Sequence, residues 1–221
     1  MTPYNLVNMA KILGMDIIAL TDHNSCQNCK SAIEVGKSIG LTVIPGMELC
    51  TSEEAHVVCL FPDIESADSF SDYVLLTMPN VKNRPSIFGD QFIMDSADGI
   101  LGTQEKLLTL ASSISISYVY DTVSEYGGVC YPAHIDRSSF SVISNLGMIT
   151  PDMNFSAVEM TDSADREKLK AEHPIICNAK IMSGSDAHYL ENMKEAQHQL
   201  ELPECSAKAV IDYLKNLPKM N

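Results

Sequence analysis

Positive charge is what this 221-residue sequence has least of: 15 lysines and arginines stand against 29 aspartates and glutamates, a formal net charge of −14. No general positive field exists to attract a polyanion, so neither nucleic acid nor an anionic membrane is an expected partner. A small anionic substrate stays open, because a bound metal and one or two local cations can hold it. No apolar run approaches the roughly 20 residues that cross a bilayer. The seven cysteines are odd in number and follow no secretory leader, so no disulfide framework is expected and a reducing cytoplasm is the expected setting. Internal repeats and low-complexity tracts are missing too.

What is there is 45% hydrophobic residues, enough for one sizeable core without disulfide or metal staples. One domain spanning residues 1–221 is the expectation. Thr2 as cap, Pro3 at the first helical position, an apolar stripe of Leu6, Met9, Ala10 and Leu13, and Gly14 as stop define an opening helix. The apolar run Ile17 to Leu20 then leads straight into Thr21-Asp22-His23, as a buried parallel strand delivers reactive side chains to its C-terminal end. A helix with Ala32, Ile33, Gly36 and Ile39 on one face stops near Gly40. Leu41 to Glu48 is a second strand, with Pro45-Gly46 turning the chain at its end, and Ala55 to Phe61 a third, in what read as parallel βα units.

From Pro62 to Gly102 the periodicity fades into acidic and turn residues. This irregular insertion is expected to hold short helices around 69–76 and 86–94, and to serve as a lid, a substrate-facing loop or an interface element. Regular alternation then returns: a helix over 116–126, a strand over 129–134, a short helix over 139–146, a strand over 157–160, a helix over 164–171, a strand over 180–183 and a closing helix over 207–217.

Four of the six histidines, His23, His56, His134 and His188, fall at or beside strand ends. With Glu48 and Asp186 they form a nitrogen and oxygen set suited to zinc, iron or manganese. Two close cations bridged by a carboxylate would activate a water and clamp the oxygens of an in-line displacement. Any one of these histidines alone is better read as an ordinary half-buried side chain. Four at strand ends, beside Gly, Pro, Asp or Glu, are better read as one site. His173 and His198 lie in helical, polar surroundings and carry no such reading. Arg137, three residues after His134, is the best-placed cation for a substrate phosphate, and a surface salt bridge accounts for it about equally well. Cys26-Gln27-Asn28-Cys29 has no second cysteine pair and reads as two incidental thiols. The Asp95 to Asp98 patch lacks the ligand count of a calcium loop.

Thr21-Asp22-His23-Asn24, Ile44-Pro45-Gly46-Met47-Glu48, Glu54-Ala55-His56, Pro132-Ala133-His134 and Gly184-Ser185-Asp186-Ala187-His188 occur in the order seen in the polymerase and histidinol phosphatase (PHP) family, which the chain resembles from Thr2 to His188. The resemblance implies an α/β fold, a distorted seven-stranded TIM-like barrel, with up to three divalent metals (Zn, Mn or Fe) at the C-terminal rim of its strands. It implies hydrolysis of a small phosphorylated substrate by a metal-bound hydroxide. By position, Glu48 would bridge two metals, with His56 and His134 completing one of those sites and Asp186 belonging to the other. His23 and His188 would share a third. Asp22, beside a ligand, would orient a group or accept a proton.

The chain departs from the family pattern at its start. Members open with a strand bearing His-x-His, a segment that here would lie before Met1. The barrel is therefore expected to be incomplete at its first strand, to bind fewer metals, and to hydrolyse poorly. Its seam would leave exposed strand edges. Met1 is then expected to be an internal methionine of a longer protein, or else two copies pair across the seam. The rival readings are a non-catalytic metal-binding or regulatory PHP domain and a metal-dependent amidohydrolase.

Overall fold

Thr2 caps helix α1 (Pro3–Ile12) by accepting the Asn5 N–H at 3.3 Å, and Pro3 fills the first turn, where a missing N–H costs nothing. In the computed structural model, which describes residues 1–221, strand β1 (Ile17–Leu20) follows, then helix α2 (Cys29–Ile39). Gly40 ends α2 at φ +67, a left-handed position that glycine takes without strain. Strand β2 (Thr42–Cys50) pairs with β1 in parallel, Ile17 opposite Thr42 and Leu20 opposite Pro45.

The parallel pattern stops there. Strand β3 (His56–Leu60) runs antiparallel to β2, with Cys50 opposite His56. The connection is only residues 51–55, and a parallel return needs a crossover of a dozen residues or more. Pro45-Gly46 does not turn the chain but lies inside β2, where pairing passes from β1 to β3. Proline cannot donate to a ladder, so it sits at this change of partner. Gly46 is required by the close approach of β3: a Cβ there would lie 2.8 Å from the Cys59 carbonyl oxygen.

The insertion is more ordered than its composition suggests. Asp63 caps helix α3 (Ile64–Thr77), which takes in the helix expected over 69–76. The helix expected over 86–94 does not form. Instead a single turn, α4 (Pro85–Phe88), leads into a hairpin of β4 (Phe92–Met94) and β5 (Ile100–Thr103). Asp95 Oδ1 accepts the N–H groups of Ala97 and Gly99 at 2.8 and 2.7 Å, so the acidic patch is the turn that closes this hairpin. The hairpin is fastened to α2, where Ser31 Oγ donates to the Met94 carbonyl at 2.5 Å and Asn28 Oδ1 accepts the Met94 N–H at 3.0 Å.

Helix α5 (Ile116–Glu125) leads to β6 (Val129–Pro132), antiparallel to β3. Helix α6 (Val142–Leu146), strand β7 (Ala157–Glu159), helix α7 (Arg166–Glu172), strand β8 (Lys180–Met182) and helix α8 (Ala207–Lys215) complete the chain. The strand order is β1-β2-β3-β6, with β7 and β8 forming a separate parallel pair beside β6. These strands make an open arc, unclosed as expected, but of mixed direction rather than the parallel TIM-like series expected. No strand joins β8 to β1, and their outer edges border a cavity of about 960 Å³.

Side chains alternate across β3, and both of its faces are covered. Val57, Cys59 and Phe61 join a core with Val35, Phe70, Val119 and Val123 of the surrounding helices. Val58 and Leu60 face inward with Ile44, Tyr131 and the α8 residues Val210, Ile211 and Leu214. Burial on both faces fixes the strand register that the rim residues depend on. No helix is long and apolar enough to cross a membrane.

Candidate metal centre

Four neighbouring strands bring their polar residues to one point. His23 follows β1 and bridges to Glu48 of β2, tied by the Glu48 N–H to Asp22 carbonyl bond (3.1 Å) and the Asn24 N–H to Glu48 carbonyl bond (3.0 Å). His56 opens β3. His134 follows β6, where the Ala133 N–H donates to the His56 carbonyl at 3.0 Å. Three imidazole nitrogens converge on the Glu48 carboxylate: His23 Nδ1 lies 3.2 Å from Oε2, while His56 Nδ1 and His134 Nε2 each lie 3.2 Å from Oε1. Ligands at about 2.0–2.1 Å around a tetrahedral metal stand about 3.3 Å apart, so each imidazole is also spaced from the carboxylate as two ligands of one metal would be.

The donor chemistry fits a divalent metal. Burial alone would raise the Glu48 carboxyl, but hydrogen bonds from His134 and His56 and the charges of His56 and His23 outweigh it and hold the group well below the usual carboxylate range. Burial lowers His23, only partly offset by Glu48, favouring the neutral ring that binds metal. His134 is raised, because its bond to Glu48 and the charge of Glu48 overcome burial. Its Nδ1 is buried with no hydrogen-bond partner. His23, Glu48 and His56 each offer a ligand atom within 4.8 Å of the others.

Strained backbone surrounds this point. Asn24, His134, Phe140 and Asp186 are non-glycine residues at φ +49, +28, +54 and +46. Each such conformation costs on the order of 1–3 kcal/mol, persists only where its surroundings enforce it, and is found chiefly at functional sites. Asn24 is fully buried and satisfied: its Nδ2 donates to the Leu108 and Leu110 carbonyls at 2.8 and 2.9 Å, and its Oδ1 accepts the Cys50 N–H at 2.8 Å. The Phe140 ring stacks on His56 at 4.9 Å, and its carbonyl accepts the His56 N–H at 2.8 Å.

The other expected site residues lie beside this group rather than in it. Asp186 is paired with Arg137, and His188 Nδ1 is 3.7 Å from Asp186 Oδ1. The His188 ring is 5.8 Å from that of His23. Arg137 thus makes the ion pair that was one of its two readings. Asp22 is held by Asn28 Nδ2 at 3.2 Å, and burial raises its pKa against the pull of Asn28 and His23. Cys26 and Cys29 are buried thiols that both approach the Gly46 carbonyl, at 3.2 and 3.4 Å. His198 is exposed, 3.6 Å from Asp162.

Sequence reasoning passed over Glu159. It ends β7 with a buried carboxyl whose Oε2 accepts the His134 N–H at 3.1 Å. Burial pushes it up to about 7 against that bond. The signal was an apolar run ending on a carboxylate, as at Glu48.

A family model of the PHP domain matches residues 1–137. An uncharacterised protein of Methanocaldococcus jannaschii is 32% identical over 59 residues, 27% of this chain and 34% of that protein. Among solved structures, the lesion-specific endonuclease PfuEndoQ of Pyrococcus furiosus matches with a TM-score of 0.65 at 16% identity, over 99% of this chain and 52% of that one. The chain therefore spans about half the length of the endonuclease. A protein assigned as a metal-dependent phosphoesterase from Bifidobacterium adolescentis matches at 0.57 and 19% identity, over 96% and 90% of the two chains. An amidohydrolase from Chromobacterium violaceum matches at 0.58 and 16%, over 97% and 91%. At these identities the likeness is one of fold.

Proposed function

The chain belongs to the PHP domain family, and from that premise we propose that it is a metal-dependent phosphoesterase acting on a small phosphorylated molecule. The observation that carries this reading is the convergence of His23, His56 and His134 on the two oxygens of Glu48. Glu48 Oε1, His56 and His134 would hold one divalent ion, zinc, manganese or iron. Glu48 Oε2 faces His23 and would serve a second. A metal held there supplies an activated water and polarises a phosphoryl oxygen.

Arg137 gives the preference for phosphate. Its guanidinium is half exposed and tied to Asp186, and that fork can exchange a carboxylate for phosphate oxygens. The net charge of −14 favours a small ester over a polyanion. The cavity between β1 and β8 reaches His23, Asp186 and His188. Metal positions on that side therefore depend on what covers the open strand edges, a second copy of the chain being one occupant, and activity rises when they are covered. Seven free cysteines, five of them buried, suit a reducing cytoplasm.

The test is turnover of p-nitrophenyl phosphate and its diester by protein stripped with chelator and reloaded with each metal, beside a p-nitroanilide amide. Phosphoester hydrolysis that requires metal and falls at least about 100-fold in E48Q is expected. Amide turnover exceeding ester turnover would instead make the chain an amidohydrolase. Metal binding without turnover of either would make it a regulatory domain.

A further inference from the structure

We propose that Glu159 is a positioning residue for His134, and that Gly184 is glycine to give the Glu159 carboxylate room. The inference rests on His134 being one of the metal-holding residues.

His134 leaves the line of β6 at φ +28, a conformation that an L-residue keeps only when its surroundings force it. The forcing contacts are identifiable. On one side the Ala133 N–H donates to the His56 carbonyl at 3.0 Å. On the other, the Ile135 N–H donates to the Glu159 carbonyl at 2.9 Å. Between them the His134 N–H goes to Glu159 Oε2 at 3.1 Å. A regular ladder would use a main-chain carbonyl for that N–H. A side chain taking its place lets the backbone turn at His134 and carries the ring toward Glu48.

Gly184 completes the device. Its φ is not positive, so conformational freedom does not explain it. A Cβ built at 184 would fall inside the van der Waals surface of Glu159 Oε1, with the carboxyl carbon 3.1 Å away. A side chain there must push Glu159 Oε1 aside, and the carboxylate turns as one unit with the Oε2 that holds the His134 N–H. Stability does not account for Glu159 either. A carboxyl group only 8% exposed with one hydrogen bond costs more than an apolar residue of like size.

The test measures zinc affinity by competition with a chromophoric chelator, and the visible spectrum of the cobalt-loaded full chain, for wild type, H134A, E159A, E159Q, G184A and the double variant E159A/G184A. E159A is expected to lose about tenfold or more in zinc affinity and to change the cobalt spectrum in the same sense as H134A. E159Q, whose amide oxygen can still accept the His134 N–H, restores both. G184A reproduces E159A, and the double variant is no worse than either single, because Gly184 acts only through Glu159. A cooperative thermal transition and native circular dichroism for metal-free E159A separate this from unfolding. If E159A keeps wild-type affinity and spectrum while H134A loses them, the positioning role is overturned. Additive losses in the double variant overturn the role of Gly184. If H134A itself binds zinc like wild type, the metal-site reading falls instead.

Discussion

At the scale of single residues, the site depends on side chains that never touch a ligand. Asn24 makes three buried hydrogen bonds while holding a left-handed backbone immediately after His23. N24A leaves the Leu108 and Leu110 carbonyls and the Cys50 N–H without partners and is expected to cost roughly 3 kcal/mol, read from urea unfolding. A loss under about 1 kcal/mol would mean that water replaces those bonds. Arg137 makes a different prediction, because it lies outside the imidazole cluster. R137Q is expected to raise KM for a phosphomonoester about tenfold or more while metal content stays unchanged; unchanged KM would leave Arg137 a salt bridge only. His23, Glu48 and His134 stand out in the sequence because each ends a short apolar run, and His56 because it opens one. Glu159 has the same pattern but no recognisable motif around it. Asn24 and Phe140 were illegible, since their work is done by backbone hand and ring stacking, which no local pattern records.

At the scale of elements, short connections decided what periodicity could not. Alternation of helix and strand suggested a parallel series, but the loop over 51–55 permits only a hairpin between β2 and β3. The expected helix over 86–94 became a hairpin because Asp95 turns the chain back at Gly99. The same loop carries a testable cap. Helix α5 receives no side-chain cap from Ser115, and Glu53 serves instead, accepting from Ser115 Oγ at 2.6 Å and from the Ile116 N–H at 3.0 Å. Burial pulls the Glu53 pKa upward, but those two bonds outweigh it and the folded pKa is depressed. A depressed carboxyl contributes stability above its unfolded pKa and loses it as pH falls through the folded value. Wild type should therefore unfold at higher urea than E53Q at pH 7, and the gap should close as pH drops below about 4. A gap independent of pH would show that the charge of Glu53 plays no part.

At the scale of the whole molecule, the α/β class and an open seam were readable, and the direction of the strands and the β4–β5 hairpin were not. Closing a barrel requires strands at every position of the ring, and here the arc ends at β1 and β8 with a cavity between their edges. Helix α8 covers the inner face below that opening through Val210, Ile211 and Leu214. Much of the rim's order is expected to depend on metal, because three buried or half-buried imidazoles meet at Glu48. Zinc at about 100 times its Kd should stabilise the chain by about 2.7 kcal/mol over the chelated form. No shift in the unfolding midpoint would mean that the centre does not bind zinc.

The most direct test of the central claim is metal content per chain by elemental analysis, after purification without chelators, for wild type and E48A side by side. At least about one divalent ion per wild-type chain, lost in E48A while its circular dichroism stays native, is the predicted result. Equal metal in both proteins, or none in wild type even after incubation with zinc, manganese and iron, would contradict a metal centre built on Glu48.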